Sequence, residues 1–124
     1  MNEVIAKWIM PLMLAMLAPI YPLMGAVGVL IAADLVTGIL AARKRGEAIT
    51  SRAMSRTITK ALVYQLAVIS AFALEGLVGL PVAKLIAAVI GLVEFKSLAE
   101  NVKAITGVDL KQVIAKISSQ KREE

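Results

Sequence analysis

The chain lacks cysteine and histidine altogether, and aromatic residues make up only 4% of its 124 residues. Without cysteine or histidine, the sequence excludes disulfides, zinc sites and histidine acid–base chemistry. The scarcity of aromatic residues argues against a β-sheet core. The apolar residues are alanine, leucine, isoleucine, valine and methionine, which is typical of helices that contact lipid or each other. The sequence therefore predicts an all-α protein with no cofactor and no metal.

Apolar residues are in excess, since 59% of the chain is hydrophobic and its mean hydropathy is +0.80. A soluble domain is closer to half apolar, so we expect an integral membrane protein of one domain at most. Fourteen basic residues outnumber nine acidic ones, which indicates either nucleic acid or anionic lipid as a partner. The basic residues lie at the ends of apolar runs, with no aromatic platform among them. We therefore expect anionic lipid and no specific nucleic acid.

Four apolar stretches predict three to four transmembrane helices. Residues 21–42 and 61–80 are each long enough to cross a hydrocarbon core of ~30 Å. Residues 81–98 carry charges near both ends, and we interpret them as a third crossing whose charged side chains extend to the headgroups. Residues 5–18 are shorter and contain Pro11, so they form a tilted or interfacial helix or half of a broken span. These alternatives leave the side of the N-terminus open.

A basic segment, residues 43–60, separates the second and third stretches, whereas residues 75–81 carry almost no charge. By the positive-inside rule the basic segment is cytoplasmic and the turn at residues 75–81 is external, so the C-terminus is cytoplasmic. Within the basic segment, Gly46 indicates a helix end and Thr50 or Ser51 the next N-cap. Six residues are predicted to set this orientation and to contact anionic lipid: Arg43, Lys44, Arg45, Arg52, Arg56 and Lys60.

The last residues, 107–124, have a different pattern from the rest of the chain. Asp109 is a predicted N-cap, with Gln112 three residues later. The apolar residues that follow share one helical face, and the lysines lie elsewhere. The sequence thus predicts a helical transmembrane domain, residues 1–106, followed by a charged cytoplasmic tail, residues 107–124. The tail forms a short amphipathic helix that lies on the inner membrane surface or packs on a neighbour.

Asp34 is the one charge inside the second apolar stretch. A charged side chain at membrane depth costs about 2.5–3.5 kcal/mol, so we expect it to face protein or water rather than lipid. Two interpretations stay open: an interhelical hydrogen bond to a threonine, to Gln65 or to backbone, or a polar stripe that lines water in an assembly. No second acid, histidine or metal-ligand cluster accompanies Asp34, so we predict that the protein is not an enzyme.

Small residues recur at i,i+4 spacing in the second and fourth stretches, which lets helix backbones approach closely in lipid. A chain rich in alanine also produces such runs by chance. Glu75 either pairs with Lys84 across the external turn or, as we favour for Lys84, each side chain reaches its own headgroup layer. The residues that we expect in an oligomer contact or a pore lining are Asp34, Thr37, Gly38, Ala41, Glu75, Ala83, Ala87 and Gly91.

The segment from Asp34 to Lys60 resembles phage holins, and it is most similar to the toxin-secretion and phage-lysis holins. Asp34 is followed by Thr37 and Gly38, then by a basic loop with Ser51 and by Lys60 at the start of the next span. The glycine that often precedes this lysine in the family is absent here. The resemblance covers residues 30–62, roughly a quarter of the chain.

The resemblance implies a membrane protein that self-associates as a homo-oligomer in the bacterial inner membrane. Such a protein opens pores or lesions for phage lysis, which release an endolysin, depolarise the membrane or serve protein export. The alternative is a small transporter or an accessory membrane subunit, including an antiholin. A soluble helical interaction protein is disfavoured, because two near-complete spans lack an amphipathic pattern.

Overall fold

The computed structural model describes residues 2–124, and nearly all of them are helical. No β-strand occurs between residues 2 and 124, which confirms the all-α prediction. A helical turn at Asn2–Val4 and a π-helix at Ile5–Ile9 open the chain, and a 3₁₀ turn at Ala18–Ile20 joins the first two α-helices. The five numbered helices are α1 at Met10–Leu17, α2 at Tyr21–Lys44, α3 at Ser51–Val78, α4 at Val82–Thr106 and α5 at Leu110–Glu123.

Near the N-terminus, three prolines accompany changes of helix type, but the helical path continues through them. Pro11 and Pro22 lie in the first turns of α1 and α2, directly after the π-helix and the 3₁₀ turn, so the helix type changes where a proline cannot donate an N–H. Pro19 lies in the 3₁₀ turn between them. The helical path therefore runs over 43 residues, from Asn2 to Lys44.

Two helical stretches are long and apolar enough to cross a membrane. They are Asn2–Lys44 and Ser51–Val78, with mean hydropathies of 2.2 and 1.8 in their most apolar parts. Only 11% of each apolar part is buried within the chain, whereas the core helix of a soluble domain is mostly buried. Helix α4 is not among these stretches, because three charged residues divide its apolar sequence: Lys84, Glu94 and Lys96.

Helices α2, α3 and α4 form a bundle in which α2 packs mainly against α4. Apolar side chains from all three helices form its hydrophobic core, and the short connections make consecutive helices antiparallel neighbours. Val27 and Val68 are almost completely buried there, from α2 and α3 respectively. The N-terminal residues 2–16 are exposed throughout, so the bundle is built from the part of the chain after the 3₁₀ turn.

The helix ends are defined by residues that the sequence predicts. The Thr50 hydroxyl accepts a hydrogen bond from the Ala53 N–H at 3.2 Å, which confirms it as the N-cap of α3. The Asp109 carboxylate accepts from the N–H groups of Lys111 and Gln112 and caps α5 in the same way. Gly46 follows the end of α2 with a φ of 74°, a left-handed backbone that suits glycine.

Candidate functional site

Five polar side chains from three helices meet at the end of the bundle next to the loop of residues 45–50. The polar cluster, as we name it, consists of Asp34 and Thr37 from α2, Lys60 from α3, and Glu94 and Asn101 from α4. All three helices are otherwise dominated by apolar residues, so burying these groups requires that they bind each other.

Lys60 lies between two carboxylates. Its Nζ donates to Asp34 Oδ2 and to Glu94 Oε2, and both N–O distances are 3.0 Å. The Glu94 side chain is only 2% exposed, compared with 29% for Lys60. An isolated buried carboxylate is strongly destabilising, so the shared ammonium group offsets the cost of burying both acids. Lys60 thereby connects α3 to α2 and to α4 at a single point.

Asn101 connects α4 to α2. Its Nδ2 lies 3.0 Å from Asp34 Oδ1, and 3.2 Å from both the Asp34 carbonyl oxygen and Thr37 Oγ1. The Thr37 hydroxyl itself donates to the Ala33 carbonyl at 2.7 Å. Gly38 lies beside this contact, because a Cβ at that position would be 3.6 Å from Asn101 Nδ2. Both oxygens of Asp34 are therefore hydrogen-bonded within the chain.

Two further polar side chains lie farther along α3. Gln65 Nε2 donates to the Met24 carbonyl at 3.0 Å, and Gln65 Oε1 is buried without a partner within residues 2–124. Glu75 Oε1 accepts from the Ala83 N–H at 2.9 Å, which satisfies a donor in the first turn of α4. Glu75 and Lys84 form no ion pair among the residues that the structure describes.

The small residues predicted for assembly contact other helices of the same chain. Ala41 and Ala83 are each only 1% exposed, and Ala87 packs against the bundle core. Gly91 lies next to Leu30, since a Cβ there would be 3.5 Å from Leu30 Cδ1. Close backbone approach between α2 and α4 is thus used within the chain, and a role of these residues between subunits stays a prediction.

The six predicted basic residues are divided between the surface and the polar cluster. Lys60 belongs to the cluster, whereas the others are exposed, namely Arg43, Lys44, Arg45, Arg52 and Arg56. Lys44 Nζ donates to the Ile105 carbonyl at 2.6 Å, near the C-terminal end of α4. Arg45 Nε lies 2.9 Å from Glu47 Oε1. Their side-chain hydrogen bond raises the pKa of Arg45 and lowers that of Glu47.

Two adjoining cavities open beside the polar cluster, with volumes of about 440 Å³ and about 420 Å³. Both are lined by Asp34, Ala53, Arg56, Thr57 and Ser97, and the smaller cavity also contacts Lys60. Lys60 is 29% exposed because of this opening, while Glu94 on its other side is closed off from solvent. The cluster is therefore reachable from the side of these cavities.

Glu94 and Asn101 are the functional candidates that sequence reasoning missed. Glu94 was expected to extend towards the headgroups, yet its side chain points into the bundle. The sequence does contain a signal for the contact between Asp34 and Lys60. These two residues lie nearly equally far from the loop that joins their helices. In an antiparallel pair, equal distances from the loop put an acid and a base at the same depth.

A family model described as the bacteriophage holin family matches residues 11–122. The matched range contains the whole polar cluster and both of the cavities beside it. Neither the curated proteins nor the solved structures include a match to the chain.

Proposed function

Because the chain belongs to the bacteriophage holin family, we propose that it self-associates in the bacterial inner membrane and opens lesions during phage lysis. The observation that supports this most directly is the polar cluster, which lies inside a bundle with an apolar exterior. An apolar exterior suits a single chain in lipid, whereas a water-filled lesion needs polar groups along its wall. This chain has both an apolar exterior and internal polar groups.

In our proposed topology, α2, α3 and α4 each cross the membrane. Helix α4 has 25 residues, and at 1.5 Å per residue its length exceeds the ~30 Å hydrocarbon core. Lys60 shields Glu94 from lipid, and Lys84 and Lys96 extend to headgroups from opposite parts of the helix. The basic loop and residues 107–124 are then cytoplasmic. Helix α5 exposes Val113, Ile114 and Ile117, which lie on the inner membrane surface.

Opening, in this proposal, occurs when α3 separates from α2 and α4 as copies associate. Separation breaks the contacts of Lys60 with Asp34 and Glu94, and all three charged groups then face water. The charged groups of the cluster can bind each other or water, but they are not stabilised by lipid. The closed bundle and the water-filled lesion are therefore more stable than intermediates in which these groups face lipid. This explains why assembly would depend on concentration and lead to sudden opening. The lesion depolarises the membrane or releases an endolysin.

Inducible expression in a bacterium should cause abrupt growth arrest and loss of membrane potential at a reproducible time after induction. The delay is expected because chains accumulate before enough of them associate. A potential-sensitive dye and culture turbidity measure both quantities, and an unrelated multi-pass protein expressed at the same level is the control. Gradual toxicity, or none, would contradict the proposal and favour a small transporter or an accessory membrane subunit such as an antiholin.

Co-expression with an endolysin that lacks its own export signal separates the two kinds of lesion. Rapid lysis of the culture indicates openings that pass a folded enzyme, whereas arrest without lysis indicates openings for small ions only.

A further inference from the structure

We propose that the two cavities beside Arg56 form a binding site for the phosphate group of an anionic phospholipid. The headgroup site, as we name it, consists of the residues shared by both cavities: Asp34, Ala53, Arg56, Thr57 and Ser97. This inference rests on the proposed function in one respect, because it takes the loop of residues 45–50 to lie at the cytoplasmic headgroup layer.

Arg56 is the cation of the headgroup site that has no ion-pair partner within residues 2–124. Asp34 is bound to Lys60 and Asn101, and Glu47 at the rim of the larger cavity is bound to Arg45. A guanidinium group presents planar donors that match a phosphate, and it is always charged. The cavities therefore offer a cation with no carboxylate partner, whereas Asp34 and Glu47 each already bind a cation of the chain, Asp34 sharing Lys60 with Glu94.

The surroundings of Arg56 add further favourable groups for an anion. Ser97 from α4 lines both cavities together with Arg56 from α3, and a serine hydroxyl can donate to an anion. The larger cavity also reaches the first turn of α3 at Thr50, Ala53 and Met54, where the helix dipole places partial positive charge. An anion between α3 and α4 would thus contact groups from both helices.

The wall of the larger cavity distinguishes a lipid from a free phosphate ion. This wall includes four large apolar side chains, namely Leu35, Ile39, Ile49 and Met54. A phosphate ion gains nothing from apolar surface, whereas the glycerol and first acyl carbons of a phospholipid are stabilised by burial there. Polar groups at one end and apolar groups along the wall match an amphiphile with a phosphate diester. A neutral headgroup such as glycerol leaves the lipid with the net negative charge that Arg56 requires.

The test is native mass spectrometry of the purified full chain in detergent, titrated with phosphatidylglycerol or phosphatidylcholine. The wild type should bind phosphatidylglycerol more tightly, and Arg56→Gln should weaken that binding by about tenfold or more, the effect of losing a hydrogen bond between charged groups. Arg52→Gln is the matched control, because Arg52 is an exposed arginine on the same helix that lines neither cavity. A lipid bound in the cavities does not contact Arg52, so this change should alter the dissociation constant by less than about twofold.

A second variant tests the cavity rather than the charge. Ala53→Leu fills space shared by both cavities without changing charge, and it should weaken phosphatidylglycerol binding as Arg56→Gln does. Glycerol phosphate, which has no acyl chains, should not displace the lipid.

Equal losses in Arg52→Gln and Arg56→Gln would mean general attraction to the basic surface and would overturn the site. Unchanged binding in Arg56→Gln or Ala53→Leu would do the same, and displacement by glycerol phosphate would overturn the assignment to lipid. Binding is measured on isolated chains, so a negative result here alongside abrupt depolarisation in cells removes the headgroup site and leaves the proposed function standing.

Discussion

Replacing Lys60 with methionine should lower the free energy of unfolding by up to about 3–5 kcal/mol, the range for breaking a buried ion pair on one side. Lys60 Nζ is 3.0 Å from a carboxylate oxygen of both Asp34 and Glu94. Without it, two acids face each other, and Glu94 is too buried to be solvated while the bundle stays closed. Methionine keeps an unbranched apolar side chain, so the loss reports mainly on the charge. Pulse proteolysis during a denaturing-detergent titration measures the unfolding free energy.

The control for this prediction is Lys84→Met, since Lys84 is exposed and forms no ion pair among residues 2–124. It should change the unfolding free energy by no more than about 0.5 kcal/mol. A triple variant that adds Asp34→Asn and Glu94→Gln to Lys60→Met should recover most of the stability, because no buried charge is then left unpaired. Wild-type stability in Lys60→Met alone would show that the ammonium group does not hold the bundle together.

Asp34→Asn should bring lesion opening forward in time after induction. An amide cannot form the charged contact with Lys60, and a hydrogen bond between charged groups contributes about 1.5–3 kcal/mol. The contact that is lost joins α2 to α3, whereas Lys60 and Glu94 still join α3 to α4. Because α3 then separates more easily, fewer accumulated chains suffice for opening. The time of depolarisation after induction measures the effect.

Asp109→Asn is the matched control for Asp34→Asn, since it removes the same charge from the loop before α5. Asparagine is as good an N-cap as aspartate, so the start of α5 is preserved. Immunoblotting establishes equal accumulation of all three proteins. Depolarisation at the wild-type time in Asp34→Asn would exclude Asp34 from the opening mechanism.

Local sequence signals predicted the helices and their ends. The threonine at position 50, the aspartate at 109 and the glycine at 46 act within one or two turns, and the structure has them where the sequence indicates. The two candidate spans also follow from apolar length alone. These features depend on neighbours in sequence, so one sequence is enough to find them.

The partners of Asp34 depend instead on how each helix is rotated about its own axis. Glu94 and Lys96 differ by only two positions, yet Glu94 points into the bundle and Lys96 is exposed. The rotation is set by the packing of all three helices, including small residues such as Gly38 and Gly91. The sequence therefore predicted that Asp34 faces protein or water, but not that Lys60 and Asn101 are its partners.

Cysteine accessibility shows whether α3 leaves α2 and α4 when the lesion opens. The chain has no native cysteine, so Val68→Cys introduces a single thiol at a residue that is 0% exposed. Reaction with a membrane-impermeant thiol reagent requires water at the thiolate. Leu66→Cys, at a neighbouring residue that is 61% exposed on the outer face of α3, is the lipid-facing control.

We expect Val68→Cys to be protected before depolarisation and to react abruptly when the potential collapses, while Leu66→Cys stays unreactive throughout. Protection of Val68→Cys that persists through full depolarisation would contradict the account, because the bundle would then have stayed closed while the membrane opened.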